Sequence, residues 1–321
     1  MAGVSHWRHA WKTWTLPLLD RSRLLRLARR CHPGKVQLSL GYHNVNPSLF
    51  RQHAEFLKNE AEVMEIDRFL SRSSESKQEK PLVTLTFDDG YASFSREIVP
   101  ILNEFKLPAA WFVPTAVIGT GDIFWFDRLR AAFLTSRRDR FYFQGKEWRL
   151  TSWNRTYVAA ALSRAVKVAD SGEHKGLVDE LLRQLGEPPD SYLERFKLVS
   201  PGELRSLPAT ITLGSHSHTH SEFSHLDSQT IHAELTTSKK LLEEWTGRPI
   251  RHFAFPSGEG HPEAARLLRE TGYTCGWTTQ QRLLSDQEDP YQLPRVLIDD
   301  AASVAIVSAK MVPLFYQWKI L

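Results

Sequence analysis

The chain has 321 residues, of which 41% are hydrophobic and 24% are charged, a balance typical of a globular protein with a large core. No segment reaches the roughly 20 consecutive apolar residues that a membrane-spanning helix needs. The two cysteines, Cys31 and Cys275, lie far apart, so the sequence predicts neither a disulfide framework nor a thiolate metal site.

Positive charge is concentrated at the start of the sequence. Residues 1–35 include eight basic residues and one acidic residue, whereas the rest of the chain has 33 basic and 36 acidic residues. The pI near 9.0 therefore originates in this basic N-terminal arm and not in the body of the protein. Because no nucleic-acid-reading motif accompanies the basic residues, we expect no nucleic-acid partner.

The arm also has three tryptophans and several leucines among its arginines. This pattern fits two structures: a basic amphipathic helix on an anionic membrane surface, or a helix that packs its Trp and Leu face on the body. The arm lacks the uninterrupted apolar stretch of a signal peptide. We therefore expect a cytoplasmic protein, which the first structure would bring into peripheral contact with the inner membrane surface.

Strand-like and helix-like patterns alternate after the arm. The predicted elements up to residue 113 are a strand at 35–42, a helix followed by a short strand within 48–70, a polar linker at 71–80, a strand at 82–87, a helix at 91–106 and a strand at 109–113. Strand, helix and strand at this spacing predict a parallel α/β sheet.

Residues 119–200 differ, because they are mainly charged helical segments with a small hairpin predicted around Gly145. We interpret this stretch as a helical insertion. The alternation then resumes with strands at 210–213, 252–255, 273–277 and 293–298, helices at 226–247 and 262–271, and an apolar, helical tail at 302–321.

Two adjacent carboxylates, Asp88 and Asp89, follow the strand at 82–87 and precede Gly90. Adjacent acids repel each other and are costly to bury unless a cation lies nearby. Asp-Gly is also a common turn dipeptide and Asp a common helix N-cap, so the pair alone indicates either a turn or a functional site. Catalytic residues of parallel sheets lie at the C-terminal ends of strands, which is where this pair falls.

A histidine cluster follows the strand at 210–213 and consists of His216, His218 and His220, with His225 nearby. These histidines are either ordinary polar residues bonded to backbone atoms or ligands of a metal. Two imidazoles and one carboxylate leave an open coordination position, which is typical of catalytic and not of structural zinc. A second, adjacent carboxylate can then take the proton of an attacking water.

Three successive motifs stand out: TFDDG at 86–90, GSHSHTH at 214–220 and FAFPSG at 253–258. They resemble the motifs of NodB-type polysaccharide deacetylases, which are carbohydrate esterase family 4. Further similar segments are YHNV at 42–45, FWFDRL at 124–129, SPGELRSL at 200–207, WTG at 245–247 and DPYQLPRV at 289–296. The resemblance therefore covers roughly residues 36–300.

The resemblance implies a deformed (β/α) barrel of about seven strands, so that residues 36–321 form a deacetylase domain with an insertion at about 119–200. It also implies metal-dependent hydrolysis of the acetyl group of an N-acetylated sugar. Carried over by motif position, Asp88 would be the general base, and Asp89, His216 and His220 the metal ligands. Ser257, which follows the proline of the third motif, would donate its backbone N–H to the oxyanion.

Three family residues are absent from their usual positions. Ala254 stands where an arginine usually orients the base, Ser257 stands where an aromatic residue usually follows the proline, and no histidine follows His261 to serve as the general acid. In the circularly permuted poly-N-acetylglucosamine deacetylase subgroup, the acid histidine lies early, in a loop similar to Tyr42–His43. We therefore predict that His43 is the general acid, with a purely structural role as the alternative. We also expect Arg295, at the end of the last predicted strand, to replace the arginine beside Asp88.

The leading prediction is a sugar N-deacetylase, a hydrolase of non-peptide carbon–nitrogen bonds, that acts on an acetylated polysaccharide or a lipid-linked glycan. Zinc is the expected metal, and a site of this donor set also accepts cobalt or nickel. Two alternatives stay open: an O-acetyl esterase with the same metal site, and a catalytically inactive glycan-binding protein. Acetate release from amide-linked and ester-linked acetyl sugars would separate the three functions.

Overall fold

The computed structural model describes residues 36–71, 80–167, 171–285, 287–313 and 316. The predicted arm at 1–35 and most of the predicted linker at 71–80 lie outside the described residues. The chain divides into two compact units, one made of the described parts of Met1–Ile118 and Val199–Leu321, and the other of Gly119–Leu198.

The described residues form ten strands, numbered in chain order. They are β1 Gln37–Tyr42, β2 Glu62–Val63, β3 Leu82–Phe87, β4 Ala109–Val113, β5 Arg140–Phe143, β6 Lys146–Arg149, β7 Ile211–Ser215, β8 His252–Ala254, β9 Cys275–Trp277 and β10 Val296–Leu297.

The α-helices of the described chain are α1 Pro47–Glu60, α2 Ile66–Ser71, α3 Val99–Phe105, α4 Trp125–Thr135, α5 Arg155–Lys167, α6 Ser171–Leu185, α7 Asp190–Leu193, α8 Pro201–Arg205, α9 Ser228–Thr246, α10 Ala264–Glu270 and α11 Val304–Lys310. A π-helix spans Phe94–Ile98, and short 3-10 turns occupy Glu194–Phe196, Phe223–His225 and Pro256–Gly258. None of the helices in this part of the chain is long and apolar enough to cross a membrane.

Seven parallel strands of the larger unit form a curled sheet in the order β10-β1-β3-β4-β7-β8-β9, with β2 paired to the first two residues of β3. Strands β1 and β3 pair along their whole length, from Gln37 opposite Leu82 to Tyr42 opposite Phe87. At the other edge, Trp277 of β9 forms a parallel bridge with Leu293, which precedes β10. The sheet therefore curls back on itself, and the predicted deformed barrel of about seven strands is confirmed.

An apolar cluster fills part of the barrel. Leu82, Ala110, Phe112, Ala254 and Trp277 come from four different strands and belong to one buried cluster. All six residues of β3 are buried, as expected for a parallel strand with both faces covered. The apolar run at 82–87 is therefore a central strand, and the residues that follow it emerge at the end of a packed barrel.

An aromatic layer covers the outer side of β1 and β3. The ring of Phe87 lies 4.6 Å from that of Phe94 in the π-helix and 5.4 Å from that of Phe50 in α1, measured between centroids. Because side chains alternate along a strand, the residues at even positions from Leu82 onward lie on the opposite, inner side. Asp88 continues this inner series just beyond the strand.

Three elements differ from the predicted ones. The helix predicted at 91–106 begins as the π-helix and continues as α3, because Pro100 lacks a backbone N–H and is tolerated only in the first turn of an α-helix. The segment predicted as one strand at 293–298 pairs with two different strands. Leu293 forms a bridge with β9, and Val296–Leu297 pairs with β1. The tail predicted at 302–321 contains the short helix α11, and most of it after residue 313 lies outside the described residues.

The smaller unit is helical and has its own core. Side chains of α4, α5 and α6 pack with the hairpin β5–β6, in a cluster that includes Leu129, Phe133, Phe141 and Leu181. The two strands pair antiparallel around Gln144 and Gly145, which have φ values of 48° and 74°. Two consecutive residues with positive φ are typical of a type I′ hairpin turn, and the pairing confirms the predicted hairpin at Gly145.

Candidate active site

The predicted metal ligands lie together. One carboxylate oxygen of Asp89, Oδ1, is 3.5 Å from His216 Nε2 and 3.2 Å from His220 Nε2. All three ligand atoms lie within 4.8 Å of one another, and no other described group of His, Cys, Asp and Glu side chains meets this geometry. Asp89 and His216 are buried, whereas His220 is slightly more exposed. The cluster is therefore a compact set of one oxygen and two nitrogen donors.

The hydrogen bond of His216 sets its tautomer. Its Nδ1 lies 2.7 Å from the carbonyl oxygen of Ala254, which can only accept, so Nδ1 carries a proton. In the neutral ring, Nε2 has a lone pair that faces Asp89, an arrangement that a cation between the two groups stabilises. The donor set thus fits a divalent metal, and a carbonyl behind a ligating histidine is a common supporting arrangement.

Left-handed backbone conformations surround the cluster. Asp89 has φ 70° and the following Gly90 has φ 75°, so the chain reverses sharply after β3. Ser217 and His220 also have positive φ values, of 68° and 62°. Non-glycine residues adopt this conformation at a cost of about 1–3 kcal/mol each, and such strain is concentrated at functional sites.

Asp88 and Arg295 form a buried ion pair. Arg295 Nη1 donates to Asp88 Oδ1 over 2.7 Å, and the exposed fractions of the two side chains are 0% for Arg295 and 2% for Asp88. Arg295 Nε also donates to the carbonyl of Thr278 over 3.1 Å, and the guanidinium lies over the ring of Phe112. Burial alone would raise the pKa of Asp88, but the charge of Arg295, with His216 and His43, lowers that pKa below its ordinary value.

The position of Arg295 corrects one expectation. The sequence predicts Arg295 at the end of the last strand, but the residue lies just before β10, because that strand comprises only Val296–Leu297. Its long side chain nevertheless reaches Asp88, from which it is separated by 207 positions in sequence.

His43 lies on the solvent side of the same carboxylate. Its Nε2 is 3.9 Å from Asp88 Oδ2, and its side chain is 36% exposed. The neighbouring Asn44 ties this loop to the barrel, since its N–H donates to Asp300 and its side chain accepts from Ser93. The imidazole is thus close to the buried ion pair and accessible to a ligand from solvent.

Ser257 lies in the turn after β8, with φ 60° and ψ 0°. The next residue, Gly258, also has positive φ, and a Cβ there would meet the side chain of Thr279 at 2.0–2.4 Å. The backbone of this turn is therefore closely confined, and only glycine fits at position 258. The role of Ser257 as an oxyanion donor stays a prediction.

His218 belongs to the histidine loop but not to the metal cluster. Its Nδ1 forms a 2.8 Å hydrogen bond with Thr115 Oγ1. Its backbone N–H and that of Thr219 both donate to Glu234 of α9, a buried carboxylate that the sequence reasoning missed. The available signal was a Glu at helical spacing on the otherwise uncharged, buried face formed by Ile231, Leu235, Ser238 and Leu242.

A curled parallel barrel with an Asp–His–His cluster beside a buried Asp–Arg pair fits a hydrolase that uses a bound metal. The profile of the polysaccharide deacetylase family matches residues 75–169 and 183–276, which is more than half of the chain. The chain belongs to this family, that of the NodB-type deacetylases. Membership makes it a carbohydrate esterase of the N-deacetylase class, and homologous deacetylases act on acetylated glycans.

Solved structures of low sequence identity share the fold. The deacetylase PplD of Streptococcus pyogenes, solved in complex with acetate, is 18% identical with a TM-score of 0.55, and the match covers 88% of this chain and 100% of PplD. IcaB of Ammonifex degensii is 18% identical with a TM-score of 0.55 and coverages of 87% and 97%.

The BpsB deacetylase domain of Bordetella bronchiseptica is 17% identical with a TM-score of 0.52 and coverages of 84% and 98%. Comparison with curated protein sequences found no match. The structural likeness therefore supports the barrel fold, and the family assignment rests on the profile.

Proposed function

We propose that the protein is a metal-dependent deacetylase that removes acetyl groups from N-acetylated sugars of a polysaccharide or a lipid-linked glycan. The observation that carries this proposal is the Asp89–His216–His220 cluster directly beside the Asp88–Arg295 ion pair. Asp89 is available to a metal, and the adjacent Asp88 is held by the guanidinium of Arg295. This arrangement suits hydrolysis by an activated water, because one carboxylate can bind the metal while the other accepts the proton of the water.

Asp88 serves as the general base in this proposal. Arg295 keeps the carboxylate ionised and fixes its Oδ1, so Oδ2 remains to accept the proton of the attacking water. Oδ2 is also the oxygen that lies 3.9 Å from His43. The ion pair therefore orients the base as well as lowering its pKa.

Asp89, His216 and His220 would hold the metal, for which zinc is the first choice and cobalt or nickel fit the same donors. When bound, a divalent metal of this kind lowers the pKa of a coordinated water and polarises the acetyl carbonyl. The Ala254 carbonyl orients His216 for this task. Ser257 would donate its backbone N–H to the oxyanion.

His43 would complete the reaction by protonating the leaving amine nitrogen. Its accessible position beside Asp88 supports this role. The base must reach the attacking water and the acid must reach the leaving nitrogen, and both atoms belong to one small reaction centre. Breaking the amide bond then yields acetate and a free amino sugar. Acetate is also the ligand bound to the deacetylase PplD, which agrees with a site of this type.

Acetate release from a panel of sugars tests the proposal. The panel pairs N-acetylated oligosaccharides with matched O-acetylated ones, each incubated with enzyme in the presence and absence of a chelator. We expect chelator-sensitive release from the amide-linked substrates. Release from the ester-linked sugars alone would contradict the N-deacetylase assignment and favour the O-acetyl esterase.

We further propose that residues 1–35 contact an anionic membrane surface. The protein would then act at the cytoplasmic side of the membrane. There, the deacetylase domain at 36–321, with its insertion at about 119–200, would bind the glycan. The support is the net positive charge of the arm together with its tryptophans. Sedimentation with anionic and with neutral lipid vesicles tests this idea. Full-length protein should bind the anionic vesicles, and a chain without residues 1–35 should not. Equal binding by both chains would contradict the proposal.

A further inference from the structure

The loop that carries His216 and His220 contains two residues in a conformation that ordinary side chains avoid. Ser217 has φ 68° and His220 has φ 62°. Such residues persist only where surrounding contacts over-determine the backbone. The contacts that fix this loop therefore decide where the two imidazoles lie.

A buried carboxylate on α9, Glu234, holds the middle of the loop. Its Oε2 accepts the backbone N–H groups of His218 and Thr219, each over 2.8 Å, and its Oε1 accepts the hydroxyl of Thr219 over 2.7 Å. Glu234 is only 7% exposed. Hydrogen bonds to an ionised acceptor are shorter and stronger than those between neutral groups, and all three bonds converge on this one carboxylate.

The chain after β4 holds the other side of the loop. Ala116 N–H donates to the carbonyl of His218 over 2.8 Å, and Thr115 N–H donates to the carbonyl of Ser217 over 3.3 Å. Thr115 Oγ1 also bonds to His218 Nδ1. Unlike Thr115 and Ala116, Glu234 has an ionisable side chain. It anchors the two residues that separate the strained Ser217 from the strained His220.

We propose that Glu234 is a positioning residue for the metal-binding loop. It acts through the backbone of His218 and Thr219, and so keeps His220 Nε2 within 3.2 Å of Asp89 Oδ1. The inference rests on the proposed function, because it takes Asp89, His216 and His220 as the ligands. Weakening this anchor frees the loop to leave its strained conformation, so metal affinity falls while the barrel remains folded.

The test compares Glu234→Gln with Glu244→Gln, a matched change on the same helix at a side chain that is 56% exposed. Zn²⁺ affinity is measured by competition with a chromophoric chelator, and thermal unfolding is recorded for the metal-free proteins. Supporting groups behind metal ligands typically contribute about 10–100-fold to metal affinity, so we expect a loss of this size in Glu234→Gln. We expect wild-type affinity in Glu244→Gln and closely similar unfolding temperatures for all three metal-free chains.

The Co²⁺-loaded protein supplies a readout that a merely structural residue would not move. At saturating Co²⁺, the visible absorption bands report ligand geometry, and we expect them to shift in Glu234→Gln and not in Glu244→Gln. Thr219→Val removes the hydroxyl contacts to Glu234 and to Ser221 but keeps both backbone N–H bonds to Glu234, so it should weaken Zn²⁺ binding in the same direction but by less. It provides the test if Glu234→Gln does not fold.

Wild-type Zn²⁺ affinity and Co²⁺ bands in folded Glu234→Gln would overturn the inference. If that variant does not fold, wild-type Zn²⁺ affinity in Thr219→Val would overturn it. A wild-type protein that binds Zn²⁺ but releases no acetate would instead contradict the proposed function, and it would leave the comparison of metal affinities intact.

Discussion

Asp88 and Arg295 contact each other inside the barrel although 207 positions separate them in sequence. Burying two charges is expensive, and their attraction offsets the cost only when the geometry is good and further hydrogen bonds are made. Arg295 meets this condition in part, because Nε bonds to the carbonyl of Thr278 whereas the buried Nη2 has no hydrogen-bond partner among the described residues. The pair lies one residue in sequence from Asp89 of the candidate metal site. The need to hold an ionised base in place explains why a charge pair is kept there despite its cost.

Asp88→Asn tests the base directly. The amide has nearly the same shape and still accepts a hydrogen bond from Arg295, but it cannot take a proton from water. We expect turnover to fall by about 10²–10⁴-fold, with metal content unchanged. Steady-state acetate release and metal analysis of the same preparation check this. Turnover equal to that of the wild type would remove Asp88 from the mechanism.

His43→Ala tests the predicted general acid. Removing a group that protonates the leaving nitrogen should lower kcat by about 10²–10⁴-fold on amide-linked substrates. His232→Ala is the matched control, because His232 is an exposed histidine on α9. An unaltered kcat in His43→Ala, measured beside the control, would assign His43 a structural role only.

At the scale of elements, the turn after β3 combines backbone conformation with close packing. Gly90 has φ 75°, and a Cβ at this position would lie 3.1 Å from Val113 Cγ1 and 3.2 Å from Ile118 Cδ1. Gly247, which ends α9, has φ 68°, but a Cβ added there would meet no neighbouring atom within 4 Å. The two glycines therefore share the conformation and differ in the space around them.

Gly90→Ala should accordingly destabilise the protein more than Gly247→Ala. Alanine at positive φ costs on the order of 1 kcal/mol at either site, and the crowded contacts at Gly90 add to this cost. Chemical denaturation of both variants measures the difference in free energy of unfolding. Equal losses would show that packing against Val113 and Ile118 contributes nothing to the turn.

The sequence predicted much of the site because its motifs are local. Asp88 and Asp89 directly follow an apolar strand, and His216 and His220 share one short segment, so strand direction alone brings them to one end of the barrel. The pairing of Arg295 with Asp88 is not local, and the resemblance to a family suggested it. Glu234 was missed because its partners are backbone N–H groups, whose direction depends on the left-handed turns at Ser217 and His220.

The same distinction applies to elements. Long periodic segments such as α1 and α9 and buried strands such as β3 were predictable from apolar spacing. The π-helix before Pro100 and the divided pairing of residues 293–298 were not, because each depends on tertiary contacts. Leu293 reaches β9 and Val296 reaches β1 only after the sheet has curled.

At the scale of the whole molecule, a buried histidine links stability to pH. His53 of α1 is fully buried and its Nε2 bonds to the carbonyl of Ala302 over 2.9 Å. Burial lowers the pKa of His53 below its ordinary value, against the smaller, opposite effect of this hydrogen bond. The folded state therefore keeps the ring neutral at pH values where the unfolded chain binds a proton, and stability is lost as the pH falls below about 6.5.

His53→Gln should reduce this pH dependence. The free energy of unfolding of the wild type should fall between about pH 7.5 and about pH 5, and the fall should be smaller in the variant, which has no proton to bind at this position. Part of the slope should remain, because burial also lowers the pKa of His252. Denaturation curves at several pH values measure both slopes. Parallel curves for the two proteins would contradict a neutral, buried His53.

The central claim is that one site, made of Asp89, His216 and His220, binds the metal on which deacetylation depends. The most direct test measures bound zinc and acetate release in the same samples: wild type, chelator-treated wild type, the treated protein with Zn²⁺ restored, and the variants His216→Ala and His232→Ala. We predict about one zinc per chain together with acetate release in the wild type, the restored protein and His232→Ala, and neither in the chelated protein or His216→Ala. Acetate release that persists without bound metal, or a His216→Ala protein that retains both, would contradict the account.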